Sequence, residues 1–137
     1  MILVAAVDDA GGMMFHNRRQ SQDRILRQKL REIAAGRILW MNAYTCKLFS
    51  SDNDDSVRIM RAEDFLQRAS AGDFCFVENL PAAPYMKRIE RIILFHWNRR
   101  YPGDTWFDID LSGWKLIDQD EFAGSSHPRI TMEIWEP

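Results

Sequence analysis

Short, unbroken apolar runs closed by turn residues constrain this chain most. Ile2 to Val7 ends in Asp8-Asp9-Ala10-Gly11-Gly12, Ile38 to Met41 follows Gly36, Phe74 to Val77 stands between Gly72 and Pro81, and Ile92 to Phe95 lies within Arg91 to Trp97. A strand with one wet face alternates apolar and polar residues, whereas a strand covered on both faces need not. The runs therefore read as buried strands of a largely parallel sheet. Between the first two, Ile25, Leu26, Leu30, Ile33 and Ala34 recur at helical spacing. Ser21 is placed to cap that helix, Asp23 falls in its first turn, and Gly36 stops it.

Other segments read as connections or edges. Met13 to Gln22, with His16, Asn17, Arg18, Arg19 and Gln20, has little apolar period and reads as an exposed loop. Ala43 to Phe49 suits a short helical turn, Ser50 to Asp55 a surface loop, and Val57 to Met60 a brief strand. Ala62 to Ala69 has helical spacing with Phe65 and Leu66 inward, and Tyr85 to Arg91 reads as a helical piece after a proline-broken stretch. Trp114 to Asp118 and Ile130 to Trp135 alternate like half-buried strands and make an antiparallel ending. The expected class is α/β: a mixed, mostly parallel sheet flanked by helices with an antiparallel C-terminal hairpin.

Composition limits the partners. At 137 residues the chain fits one domain, 1–137. With 18 basic and 20 acidic residues the net charge is -2, so no global field recruits nucleic acid or an anionic membrane. No apolar run approaches the roughly 20 residues of a membrane span, and the first residues lack the basic start of a signal peptide, which reads as cytoplasmic. Cys46 and Cys75 have no CxxC or zinc spacing and read as inert. His16, His96 and His127 share no ligand spacing, and Ser125-Ser126 before His127 reads as a hairpin loop rather than a hydrolytic dyad.

Two stretches carry a family resemblance. VAAVDDAGG resembles the first strand and turn of dihydrofolate reductases, and ILFHWNRRYPGDTWFDIDLSGWKLIDQDEF followed by ITMEIWEP resembles the family's last three strands. Gly103, Asp104, Thr105, Phe107 and Trp114 match its Gly-Asp-Thr-x-Phe turn and following Trp, and FCFVENL stands at its central cofactor-binding strand. The resemblance implies that fold and a cleft lined by Ala5, Ala6, Asp23, Met41 and Glu78. Asp23 matches the family's pteridine-reading acid, although the same residue equally suits a first-turn partner of the helix dipole.

The departures fall on the cofactor side. Glu78 and Asn79 replace the family's Gly-Gly pair, whose bare backbone approaches the pyrophosphate, and Met41-Asn42-Ala43-Tyr44-Thr45 replaces its cationic phosphate motif. Phe95 stands where the acid's hydroxyl partner belongs. NADPH is the cofactor the resemblance implies, and its motifs are missing. The expected function is binding of a nucleotide-like or pteridine-like small molecule around Asp23 without ordinary NADPH-dependent reduction of dihydrofolate. The alternative is a phosphate- or RNA-binding module, with hydrolytic chemistry from His16 and Asp23, built on His16, Arg18, Arg19 and Arg24. A second cluster from His96 to Tyr101 mixes aromatics with arginine, as single-strand sites do. Both clusters also read as solvated loops.

Overall fold

The computed structural model describes residues 1–137. Its seven-stranded sheet runs in the order β5 (Arg58–Arg61), β4 (Ile38–Met41), β6 (Phe74–Phe76), β1 (Ile2–Val7), β7 (Arg91–His96), β10 (Ile130–Glu136), β9 (Lys115–Phe122). β5 through β7 are mutually parallel, and β10 and β9 close the sheet antiparallel, as the apolar runs imply. The alternation of β1 sorts the core into two layers. Leu3, Ala5 and Val7 face Phe65, Leu66 and Ala69, while Val4 and Ala6 face Leu26 and Leu30 of α1 (Arg24–Ile33). Both faces of the central strands are covered, which is why their sequences do not alternate.

Several boundaries differ from the sequence expectation. The segment read as an exposed loop contains β2 (Gly12–Phe15) and β3 (Arg18–Arg19), which with β8 (Thr105–Trp106) form a three-stranded sheet. Met13 and Met14 are buried there, an apolar pair too short to give a period. Phe15 pairs with Arg18, so His16 and Asn17 form a two-residue hairpin turn with φ of 49° and 61°. Both positive angles match the turn twist that hairpins prefer, which accounts for the Asn.

Asp23, not Ser21, is the N-cap of α1: its side chain accepts from the backbone N–H groups of Ile25 and Leu26. α2 (Ala43–Ser50) is capped by Asn42, and α3 (Phe65–Arg68) is a single turn. Ala83–Arg88 is a 3₁₀ helix with Pro84 in its first turn. β9 continues to Phe122, well beyond the short strand expected at Asp118. The loop after α2 is exposed as expected, except that it is anchored at Asp52. Asp52 receives Arg27 at 2.7 and 2.9 Å and Arg31 at 2.8 Å, and the Asp52 side chain is only 9% exposed. No helix is long and apolar enough to cross a membrane.

Candidate functional site

Asp23 sits at the start of α1 and gathers donors from two segments. Its Oδ1 accepts from the N–H groups of Ile25 (2.9 Å), Leu26 (3.1 Å) and Ser125 (3.0 Å). Its Oδ2 accepts from the N–H (2.8 Å) and hydroxyl (2.9 Å) of Ser126. Burial pushes the carboxyl pKa up, but the donors from Ser126, Ser125 and Leu26 outweigh it and hold the acid well below the usual carboxylate range. Asp23 is therefore an anion tying α1 to the β9–β10 turn, and it carries no exchangeable proton near neutral pH. The close approach needs Gly124, where a Cβ would collide with Asp23 Oδ2.

His127 completes this junction. Its ring stacks on Trp97 at 4.6 Å, its Nδ1 lies 3.5 Å from Asp23 Oδ2 and 2.9 Å from Ser126 Oγ, and its Nε2 meets Tyr101 Oη (2.8 Å) and Ser21 Oγ (3.3 Å). The sequence gives no signal for His127, because its partners come from three separated segments and no local spacing links them. Tyr101 is positioned by Asp8, whose carboxylate accepts the Tyr101 N–H at 3.0 Å and the Gly12 N–H at 2.7 Å.

Beside Asp23, Arg19 reaches across from β3 to Glu78 at the end of β6. The contact is a parallel fork, Nε to Oε2 at 2.8 Å and Nη2 to Oε1 at 3.0 Å. Burial works against the Arg19 charge, but the hydrogen bonds to Glu78 overcome it and raise its pKa. The guanidinium also lies 4.3 Å over the Tyr44 ring, and Glu78 Oε1 accepts the Thr45 hydroxyl at 2.8 Å.

This pair divides two spaces. On one side is a cavity of about 20 Å³ lined by Ala6, Ser21, Asp23, Phe76, Glu78 and Trp97, room for about one water. On the other is an open groove of about 450 Å³ between His16, Arg18, Gln20 and Tyr101. Arg19 is the one residue the two spaces share.

The sequence candidates thus divide. Ala6, Arg19, Asp23 and Glu78 meet at the cavity, and His16, Arg18 and Arg19 at the groove. Ala5 does not reach either, because strand alternation turns it to the opposite face of the sheet. Met41 is fully buried in the core with Leu39 and Phe49. Arg24 is exposed at the start of α1 and lines neither space. Asn79 accepts from Asn42 Nδ2 at 2.9 Å, tying the end of β6 to the cap of α2. Two amides at the start of α2 are taken: Ala43 N–H donates to Glu63 at 2.9 Å and Thr45 N–H to Asn42 Oδ1 at 3.1 Å.

The second aromatic-arginine cluster is not a stacking platform. Trp97 is buried against His127, His96 is paired with Glu133, and Tyr101 is held by His127. Phe95 is fully buried and packs edge-on against Phe122. Burial pushes the Cys75 thiol up to about 12, which leaves it protonated and unreactive.

No family model matches the chain, and no curated protein matches it in sequence. Among solved structures, a dihydrofolate reductase from Enterococcus faecalis, complexed with NADP(H) and RAB-propyl, superposes with a TM-score of 0.65 at 13% identity. The match covers 99% of this chain and 95% of that one. The fold is dihydrofolate reductase-like. Coverage this complete means that the scaffold agrees from end to end, the antiparallel ending included, while the identity is too low for residue roles to be carried across.

Proposed function

We propose that this protein binds a small nucleotide-like or pteridine-like molecule in the cleft that opens between Asp23, Arg19 and Glu78, and that it does so without a nicotinamide dinucleotide. The Arg19–Glu78 fork carries this reading. A guanidinium presents two parallel N–H groups to a carboxylate, and the edge of a 2-amino-pyrimidine ring, as in a pterin or guanine, presents the same pair. Such a ring can replace the guanidinium on Glu78 with matched geometry. Arg19, once released, stands with Arg18 and His16 along the groove, where a phosphate or carboxylate of the ligand would lie.

Asp23 supports the cleft wall in this reading rather than reading the ring, because its two oxygens already take five donors. The residues do not fit a dinucleotide pyrophosphate. Where the family resemblance places it, the amides of Ala43 and Thr45 at the start of α2 are occupied by Glu63 and Asn42, and the carboxylate of Glu78 adjoins them. A pyrophosphate there would face two carboxylates, and Arg19, the cation beside them, is already forked to Glu78.

A thermal-shift panel tests the reading, since stabilisation reports binding to the folded state alone. Pterin, folate and guanine nucleotides are expected to raise Tm, whereas adenine nucleotides, which lack the double-donor edge, are not. Glu78→Gln should weaken the response at least about tenfold in ligand concentration, the loss of one charge-assisted fork. A response to adenine and guanine nucleotides alike, or one untouched by Glu78→Gln, would contradict it.

A further inference from the structure

The geometry points to Ser21 as a nucleophile, activated by His127 with Asp23 behind it, for transfer of a phosphoryl group from a phosphate ester lying in the same cleft. Phosphate ester as the substrate class rests on the nucleotide-like ligand proposed above; the nucleophile rests on the side-chain geometry alone.

The tautomer of His127 follows from its partners. Ser126 Oγ has one proton and two neighbours that can only accept, Gln22 O at 2.8 Å and Asp23 Oδ2 at 2.9 Å. We assign the third neighbour, His127 Nδ1, as a donor, which leaves the Ser126 proton for one of those two acceptors. Nε2 is left with its lone pair turned toward Ser21 and Tyr101. His127 is 3% exposed, and the only acidic side chain within ion-pair distance of its ring is Asp23. The groups stand in the order a serine nucleophile requires, hydroxyl, base and anion, with Ser126 Oγ holding Nδ1 and Asp23 Oδ2 at 3.5 Å facing the charge after proton transfer. Ser21 alone of the three is partly open, and it lines the cavity with Arg19, a cation for phosphoryl oxygens once it leaves Glu78; Arg27 lines it too but spends its N–H groups on Asp52 and Gln22. The backbone N–H groups of Ser21 and Gln22 make no hydrogen bond within the chain, which leaves both free to donate.

The step balances without a co-reactant. The Ser21 Oγ–P bond forms as the P–O bond to the leaving alcohol breaks. The Ser21 proton passes to His127 Nε2 and from there to the departing oxygen. Water, deprotonated by the same nitrogen, then releases phosphate and restores Ser21. Tyr101 competes for Nε2, since its hydroxyl lies 2.8 Å away against 3.3 Å for Ser21. Removing that hydroxyl frees the base for Ser21, an effect opposite to that of damaging a supporting contact.

Diisopropyl fluorophosphate supplies a test that needs no natural substrate: Ser21 Oγ bonds to phosphorus, fluoride leaves, and His127 takes the proton. The whole protein is incubated with the reagent and the modified peptide mapped by mass spectrometry. One diisopropylphosphoryl group is expected on Ser21, absent in Ser21→Ala and formed about a hundredfold more slowly in His127→Gln. Tyr101→Phe should label faster than the wild type, and Tm of each variant shows that it is folded. No modification of the wild type, modification at another residue, or equal rates in wild type and His127→Gln would overturn the assignment. The reagent carries no ring for Glu78, so labelling can fail while pterin binding persists, and the reverse, which separates this inference from the binding reading.

Discussion

Asp23 decides two questions at once, because the donors that hold it also fix its ionisation. Its folded pKa is depressed, so in acid the unfolded chain takes up a proton that the folded chain refuses. The stability it contributes is therefore fully present above the unfolded value of about 3.9 and drains away as pH falls below it. Asp23→Ala should cost about 2 to 4 kcal/mol at neutral pH, from the lost cap and the stranded Ser125 and Ser126 amides. Melting scans from about pH 6 to about pH 2 should also show a shallower acid decline in the variant than in the wild type. An equal decline would assign the acid sensitivity to other carboxylates. The sequence shows Asp23 at the helix start and leaves its role open, since a ligand-reading acid and a cap have the same local signature. Only Ser125 and Ser126, which lie far along the chain, resolve it.

At the scale of elements, α1 is held by charge as well as by Leu26 and Leu30. Arg27 and Arg31 are 6% and 3% exposed, and both close on Asp52 across the α2 loop. Removing Asp52 leaves two buried guanidinium groups without their anion. Asp52→Ala is expected to destabilise by about 3 to 5 kcal/mol. Asp54, 37% exposed and 4.0 Å from Arg31, should cost well under about 1 kcal/mol on the same change. Urea denaturation of the two variants makes the comparison, and similar midpoints would mean that Asp52 is not the anchor. The main strands are legible in sequence because two-sided burial leaves unbroken apolar runs. β2 and β3 are not, because Met13 and Met14 are two apolar residues among polar ones, and the buried arginines read as an ordinary polar helix face.

Across the whole molecule, the parallel sheet and antiparallel ending reproduce the reductase scaffold, whereas the start of α2 and the end of β6 are occupied by Glu63, Asn42 and Glu78. NADPH fluorescence should therefore be unchanged by the protein at micromolar cofactor, and enhancement or quenching that saturates would contradict the poor fit of the pyrophosphate. The resemblance of GDTWF and FCFVENL to the family makes the scaffold legible in the amino-acid sequence. The closed cleft is not legible there, because Arg19 and Glu78 lie 59 positions apart and neither neighbourhood announces the other. The closed pair implies that Arg19 competes with the ligand, so apparent affinity is lowered by the fraction of molecules in which the fork is shut. Calorimetric titration with a neutral pterin, which offers no anion for Arg19 to hold, tests this most directly. The account predicts binding to the wild type and tighter binding to Arg19→Ala; weaker binding to that variant, or no heat with either protein, would contradict it.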